Sequence, residues 1–175
     1  MLKEMGIDFE IMVSDVDEKA IRLEDPQELT LTLSRAKAEA LKAKISEPAI
    51  LITSDQVVVW NGIIREKPES EAEAREFLKG YNLYPAEAVT AVVVTNLATG
   101  KTAEAVDVAQ VFFRTFSDDK IDEFIAAGGV YNWAGGFTVD GEKWESQVEK
   151  IVGARDGVIG LPKDLTRKLM AEVLE

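Results

Sequence analysis

The 175-residue sequence predicts an α/β fold: a mixed twisted sheet flanked by helices. Three observations predict it. Capped amphipathic helices are interleaved with apolar strands, two strand pairs carry tight hairpin signals, and 46% of the residues are hydrophobic. That is enough for one domain over residues 1–175 with a substantial core.

Asp8 to Ser14 alternates, with Phe9, Ile11 and Val13 on one side, and reads as a strand; Asp15 to Asp25 reads as an acidic loop. Asp25-Pro26-Gln27-Glu28 opens a helix, with Asp25 as cap and Pro26 in the first turn. Leu29, Leu33, Ala36, Ala40 and Ala43 recur at helical spacing and predict its buried stripe. Ala49 to Thr53 is a short strand. Gln56 to Trp60 and Ile63 to Arg65 flank Asn61-Gly62, a two-residue turn whose residues both tolerate positive φ.

Ser70 and Glu73 form a second capping box, and Ala74, Phe77 and Leu78 give that helix an inner face ending at Gly80. A long hairpin comes next, with arms Ala88 to Leu97 and Thr102 to Phe113. Ser117 caps a helix stapled by Phe116 and Ile121, and Gly128-Gly129 stops it. Trp133 to Gly141 is glycine-rich and irregular. After Gly160-Leu161-Pro162 comes the last helix, with Leu165, Leu169 and Val173 as its buried stripe. The antiparallel hairpins argue against a purely parallel sheet.

Composition removes whole classes of chemistry. Histidine and cysteine are both absent, so a Ser-His-Asp triad, a thiol nucleophile, a disulfide and a thiolate or imidazole zinc site are excluded. Carboxylates, lysines, hydroxyls and hard oxygen-binding cations such as Mg²⁺ or Mn²⁺ remain. The formal charge of −12 argues against nucleic acid as a partner. No run is long enough for a membrane span, and no signal peptide opens the chain, so a cytoplasmic protein is expected.

Four charges sit at the edges of strands and helices. Asp55 precedes three valines, and Lys67 lies just past the hairpin. Lys37 stands between Leu33 and Leu41 on one helical row, where a lysine either snorkels to the rim or points into a cleft. Glu18 lies in the loop before that helix. Two carboxylates and two lysines suit metal-assisted attack on a phosphate, with the carboxylates holding the cation and orienting water. Spacing alone leaves solvated surface charge as the other reading. The three tryptophans, Trp60, Trp133 and Trp144, read as packing residues rather than a base-stacking platform.

The stretches SDQVVVWNGIIREKP and SEAEAREFLKGY, with DVDEKAIR, LSRAKAEAL, WAGGFTVDG and VIGLPKDL in order, resemble the Maf family of nucleotide pyrophosphatases. The plant-type Maf-like proteins look most similar. The resemblance implies two lobes with a central cleft, and hydrolysis of a nucleoside triphosphate to monophosphate and pyrophosphate. It assigns Asp55 as proton acceptor and Lys37 and Lys67 as phosphate-binding lysines. Glu18 would bind substrate and, with Asp55, hold the divalent cation. Gln56 occupies the substrate-sorting position, and Asp140 falls where relatives carry a substrate-touching glutamine.

The pattern also departs from the family. Relatives begin with a strand and a Ser-x-Ser-x-x-Arg loop, whereas MLKEMGIDFE resembles the segment downstream of that loop, as in an N-terminally shortened form. Such a form is expected to bind triphosphates weakly, and its open sheet edge would favour a homodimer. GYNLYPAEA and Asp140 depart as well, and Asp140 would bring negative charge toward a triphosphate. The alternative function is a non-catalytic or engineered binding protein on a truncated Maf-like scaffold. Its loops Tyr81 to Glu87 and Tyr131 to Trp144 would then contact a protein partner.

Overall fold

The computed structural model describes residues 1–175. Helix α1 spans Pro26–Lys42, α2 Glu71–Gly80, α3 Asp118–Ala126, α4 Glu142–Glu145, α5 Arg155–Val158 and α6 Lys163–Leu174. Strands β1 (Ile50–Trp60), β2 (Ile63–Arg65), β3 (Ala86–Asn96), β4 (Thr102–Phe113) and β5 (Val148–Val152) form one sheet in the order β2-β1-β3-β4-β5. The sheet is antiparallel, so the α/β class stands and the mixed sheet narrows to one sense. No helix is long and apolar enough to cross a membrane.

The signals that held are those with a local mechanism. Asp25 Oδ1 accepts from the amides of Gln27 and Glu28, each at 2.9 Å, and Ser70 and Ser117 cap α2 and α3 in the same way. Asn61 and Gly62 have φ of 47° and 78°, the positive pair that a two-residue turn between right-twisting strands requires.

Three expectations are corrected. Residues 8–14 form no strand: the segment pairs with no ladder, and Ile11 and Val13 are 86% and 70% exposed. The separate strands at 49–53 and 56–60 are one continuous β1, because Ser54 and Asp55 keep extended geometry. In α1 the buried face is Leu29, Thr30, Leu33, Ser34, Ala38 and Leu41, while Ala36 and Ala40 are half-buried and Ala43 is exposed. Polar Thr30 can go inside because its hydroxyl bonds back to the Pro26 carbonyl at 2.9 Å. The edge strand β5 and the short helices α4 and α5 carried no sequence signal.

The chain folds as two compact units. The first comprises Met1–Asp55, Thr90–Asp107 and Gly160–Glu175, and the second Gln56–Val89 and Val108–Ile159. In the first, alternation along β3 sends Val93 to a cluster with Ala38, Leu41 and Leu51. Val92 and Val94 join Leu169 and Val173 of α6 in another. Strand β3 is thus buried on both faces there.

The second unit packs α2 and α3 with the glycine-rich stretch around Phe77, Leu78, Tyr81, Phe113, Phe124 and Trp144. The aromatics lock edge to face or stacked; Trp144 lies 4.0 Å from Phe124, centroid to centroid. Arg65 is 3% exposed, with its guanidinium 4.0 Å from the Trp60 ring centroid and 4.5 Å from that of Phe77. It donates to the Phe77 carbonyl at 3.0 Å, and Trp60 Nε1 donates to the Gly80 carbonyl at 2.8 Å. A Cβ on Gly80 would fall 2.8 Å from Arg65 Nη2 and 3.0 Å from the Trp60 ring. Alanine there gains about 1 kcal/mol of helix propensity, but forcing the cage apart costs typically about 1–3 kcal/mol. The clash should win. Gly80→Ala is expected to lower Tm by several degrees, and a rise in Tm would show that the Arg65 cage yields freely.

Glu123 on α3 sits 2.8 Å from Lys120 Nζ and 2.7 Å from Lys143 Nζ on α4. Bonds to Lys120 first, then Lys143, hold its carboxyl down at about 2, against an ordinary 4.5. A depressed carboxylate stabilises the fold fully above its unfolded pKa, and that contribution fades as pH falls from about 4.5 toward 2. In Tm measured against pH, Glu123→Gln should trail wild type at neutral pH, and the two curves should meet near the acid end. A constant gap would rule out the titration.

Candidate active site

The register of α1 on β1 builds the site in the first unit. Thr53 Oγ1 donates to the Ser34 carbonyl at 2.8 Å, and both residues are buried. One turn on from Ser34 along the helix is Lys37; two residues on from Thr53 along the strand, on the same face, is Asp55. The buried contact therefore sets the charged one. Ser54 lies between, and its hydroxyl reaches the Ala91 carbonyl at 2.8 Å and the Gly160 carbonyl at 2.9 Å. That ties the loop before α6 to β1.

Lys37 Nζ lies 2.7 Å from Asp55 Oδ1, 2.8 Å from Glu18 Oε1 and 3.4 Å from the Ser54 carbonyl. Three acceptors thus surround its three N–H bonds. The Lys37 and Asp55 side chains are 17% and 10% exposed, and Glu18 is 53% exposed on a single turn over Glu18–Ala20. Burial disfavours the charged lysine, yet bonds to Asp55 and then Glu18 outweigh it and hold its pKa above the ordinary value. Lys37 is a fixed ammonium and cannot act as a base. Asp55 is the acceptor of the pair. No third carboxylate joins Glu18 and Asp55 in a metal-binding cluster. Lys44 anchors the segment that carries Glu18, reaching Asp15 Oδ2 at 2.7 Å and the Val13 carbonyl at 3.2 Å.

Glu18, Lys37 and Asp55 are thus brought together; Gln56, Lys67 and Asp140 belong to the second unit. There Gln56 Nε2 donates to the carbonyls of Gly157 at 2.7 Å and Val158 at 3.1 Å, which holds α5. Lys67 is exposed, next to buried Pro68. Asp140 is exposed and lies 3.5 Å from Arg155 Nη2, so its negative charge has a cation beside it. Arg155 also binds Glu145 Oε1 at 2.8 Å and the Val139 carbonyl, and it closes the glycine-rich stretch. Sequence reasoning passed over Ser34, Thr53, Ser54 and Arg155. Buried hydroxyls in an apolar row were the available signal for the first two.

A chain carrying Asp-Gln before three valines, Lys-Pro past the hairpin and a lysine-bridged pair of carboxylates can be compared with known proteins. The profile of the Maf family, described as Maf-like protein, matches residues 1–173. The chain belongs to the Maf family. It is 47% identical over 180 residues to the 7-methyl-GTP pyrophosphatase of Dictyostelium discoideum, covering 99% of this chain and 90% of that protein. It is 36% identical over 170 residues to a nucleoside triphosphate pyrophosphatase of Thermosynechococcus vestitus, covering 97% and 85%. To the dTTP/UTP pyrophosphatase of Alkaliphilus metalliredigens it is 35% identical over 162 residues, covering 93% and 83%.

The aromatic loops of this Maf-family chain turn mostly inward. Tyr81 and Trp144 are buried, and Trp133 packs edge-on to Trp144 at 5.9 Å. Only Tyr84, 49% exposed, presents a large aromatic face from the loop 81–87.

Proposed function

We propose that this Maf-family chain is a cytoplasmic nucleoside triphosphate pyrophosphatase. Water attacks the α-phosphorus, the bond from that phosphorus to the α,β-bridging oxygen breaks, and monophosphate and pyrophosphate leave. Asp55 takes the water proton. The observation that carries the reading is the Glu18–Lys37–Asp55 cluster in a chain 47% identical to a 7-methyl-GTP pyrophosphatase.

Each group has a role set by its chemistry. Asp55 is held in place by Lys37 and by the buried Thr53–Ser34 contact, so little reorganisation precedes proton transfer. Lys37 keeps its charge and faces the triphosphate as a fixed cation, with Lys67 as the second phosphate-binding lysine. Gln56 and Asp140 contribute to substrate selection, the latter with its charge offset by Arg155. Glu18 and Asp55 offer the oxygen donors that Mg²⁺ or Mn²⁺ takes, and one or two carboxylates plus substrate phosphates is the usual protein share. Such a cation would neutralise charge that develops on the leaving pyrophosphate.

Pyrophosphate release over 7-methyl-GTP, dTTP, UTP and the common triphosphates, with Mg²⁺ or Mn²⁺, tests the reading. Release from at least one is expected, and none from any would overturn it. Lys67→Ala separates binding from folding. An exposed phosphate lysine should raise KM roughly tenfold, one charge-assisted hydrogen bond's worth, while Tm stays put. A lower Tm with unchanged KM would assign Lys67 to structure instead.

A further inference from the structure

The tip of the β1–β2 hairpin sets a side-chain amide beside a glycine. Of the four asparagines in the chain, Asn61 alone is followed by glycine. Its φ of 47° and the 78° of Gly62 are both left-handed, and both residues are exposed. A Cβ built on Gly62 would meet nothing within 4 Å, so the backbone nitrogen there is open to approach. The ladder ends at Trp60 opposite Ile63, which leaves Asn61 and Gly62 outside it. Strand β2 makes only three pairs and stands at the end of the sheet, so this tip opens locally at little cost. The other carboxamides differ. Asn82 is tied at both ends to Phe116, donating to its carbonyl at 3.0 Å and accepting from its amide at 2.7 Å. Asn96 donates to the Val173 carbonyl at 3.1 Å and accepts from the Ala98 amide at 3.0 Å. Asn82, Asn96 and Asn132 are followed by Leu83, Leu97 and Trp133, whose side chains crowd the next backbone nitrogen.

We propose that Asn61 is a self-modification site, where the Gly62 backbone nitrogen displaces the side-chain amide and resets the hairpin irreversibly. The nitrogen gives up its proton and bonds to Asn61 Cγ. The bond from Cγ to Nδ2 breaks, and ammonia leaves with that proton. Water then opens the cyclic imide at one of its two carbonyl carbons. Opening at Cγ gives aspartate in the ordinary chain. Opening at the main-chain carbonyl gives isoaspartate, in which the backbone runs through Cβ and Cγ and is one atom longer. Either product carries a new carboxylate. Aspartate still accepts the left-handed turn. Isoaspartate does not, because loop length sets hairpin register and a longer loop cannot hold Trp60 opposite Ile63. Trp60 and Arg65 stand on the two arms of this hairpin, with the guanidinium 4.0 Å from the ring centroid. A slip at the tip therefore loosens the Arg65 cage against α2. This chemistry is independent of the reaction assigned to Asp55.

The test ages the full chain in warm, mildly alkaline buffer, with peptide mapping by mass and Tm measured at intervals. Isoaspartate is read as methyl acceptance from labelled S-adenosylmethionine through an isoaspartyl methyltransferase. The Asn61 peptide should convert well ahead of those holding Asn82, Asn96 and Asn132, methyl acceptance should rise with it, and Tm should fall by several degrees. Two variants separate the causes. Asn61→Gly keeps a positive-φ turn without an amide, so it should start near the wild-type Tm and hold it on ageing. Asn61→Asp adds the carboxylate without the extra backbone atom, so it should also start near the wild-type Tm. An Asn61 that persists as amide in the folded chain, while a guanidinium-unfolded sample converts, would show that the hairpin protects it and overturn the proposal. Conversion at the same rate at all four asparagines would overturn it as well. Full conversion to isoaspartate with Tm unchanged would contradict the link from the turn to the Arg65 cage.

Discussion

Asp55→Asn is expected to lower the rate of pyrophosphate release by ~10²–10⁴-fold, the usual contribution of a positioned general base. Its effect on stability should be small. The asparagine oxygen can still accept from Lys37, and Lys37 keeps Glu18 at 2.8 Å and the Ser54 carbonyl at 3.4 Å. One weakened hydrogen bond costs about 1 kcal/mol, or about 2–4 °C in Tm for a chain of this size. A variant with the wild-type rate and a Tm lowered well beyond that would make Asp55 a structural residue.

Lys37→Met should have the opposite balance. The substitution keeps the apolar stem against α1 and β1 but leaves Asp55 and Glu18 without their shared cation. Removing one partner of a fully buried pair costs about 3–5 kcal/mol, and Glu18 is half exposed, so about 2–3 kcal/mol is expected. The loss of a fixed phosphate cation adds a fall in kcat/KM of about 10- to 150-fold, the equivalent of one charge-assisted hydrogen bond. The pH dependence is specific. A lysine whose folded pKa is raised stabilises fully below its ordinary value near 10.5, and the contribution is lost as pH climbs through the folded value. The stability gap between wild type and Lys37→Met should therefore be flat from neutral pH to about 10 and close above 10.5. A gap that stays open well above 10.5 would mean that the Lys37 charge is not the source of the stability.

The part of this architecture legible in the sequence is the part fixed by short-range chemistry. Asp25, Ser70 and Ser117 bond amides two or three residues away, and Asn61-Gly62 needs only its own dihedrals. Residues 8–14 show the limit: alternation gives a strand two faces but no neighbour, and none pairs with them here. Strand β5 fails in the other direction. Val148–Val152 is an edge strand with Glu149 and Lys150 in solvent, so it needs little of the apolar pattern by which strands are recognised.

The site divides along the same line. Lys37 and Asp55 stood out as charges in apolar rows, and the structure joins them because Ser34 and Thr53 fix the helix against the strand. The sharing of one ammonium by Asp55 and Glu18 rests on the fold of the loop 8–25, which no pattern specified. Arg65 was the least legible charge. Its burial depends on Trp60, Phe77 and Tyr81 converging on one point, from a strand, a helix and the turn after it.

Hydrolysis in ¹⁸O-labelled water, with the products resolved by mass, tests the central claim most directly. If Asp55 activates water for attack at the α-phosphorus, the label enters the nucleoside monophosphate, the pyrophosphate stays unlabelled, and Asp55→Asn slows that incorporation in step with turnover. Label in the pyrophosphate, or in orthophosphate released from the γ position, would place the attack elsewhere and contradict the account.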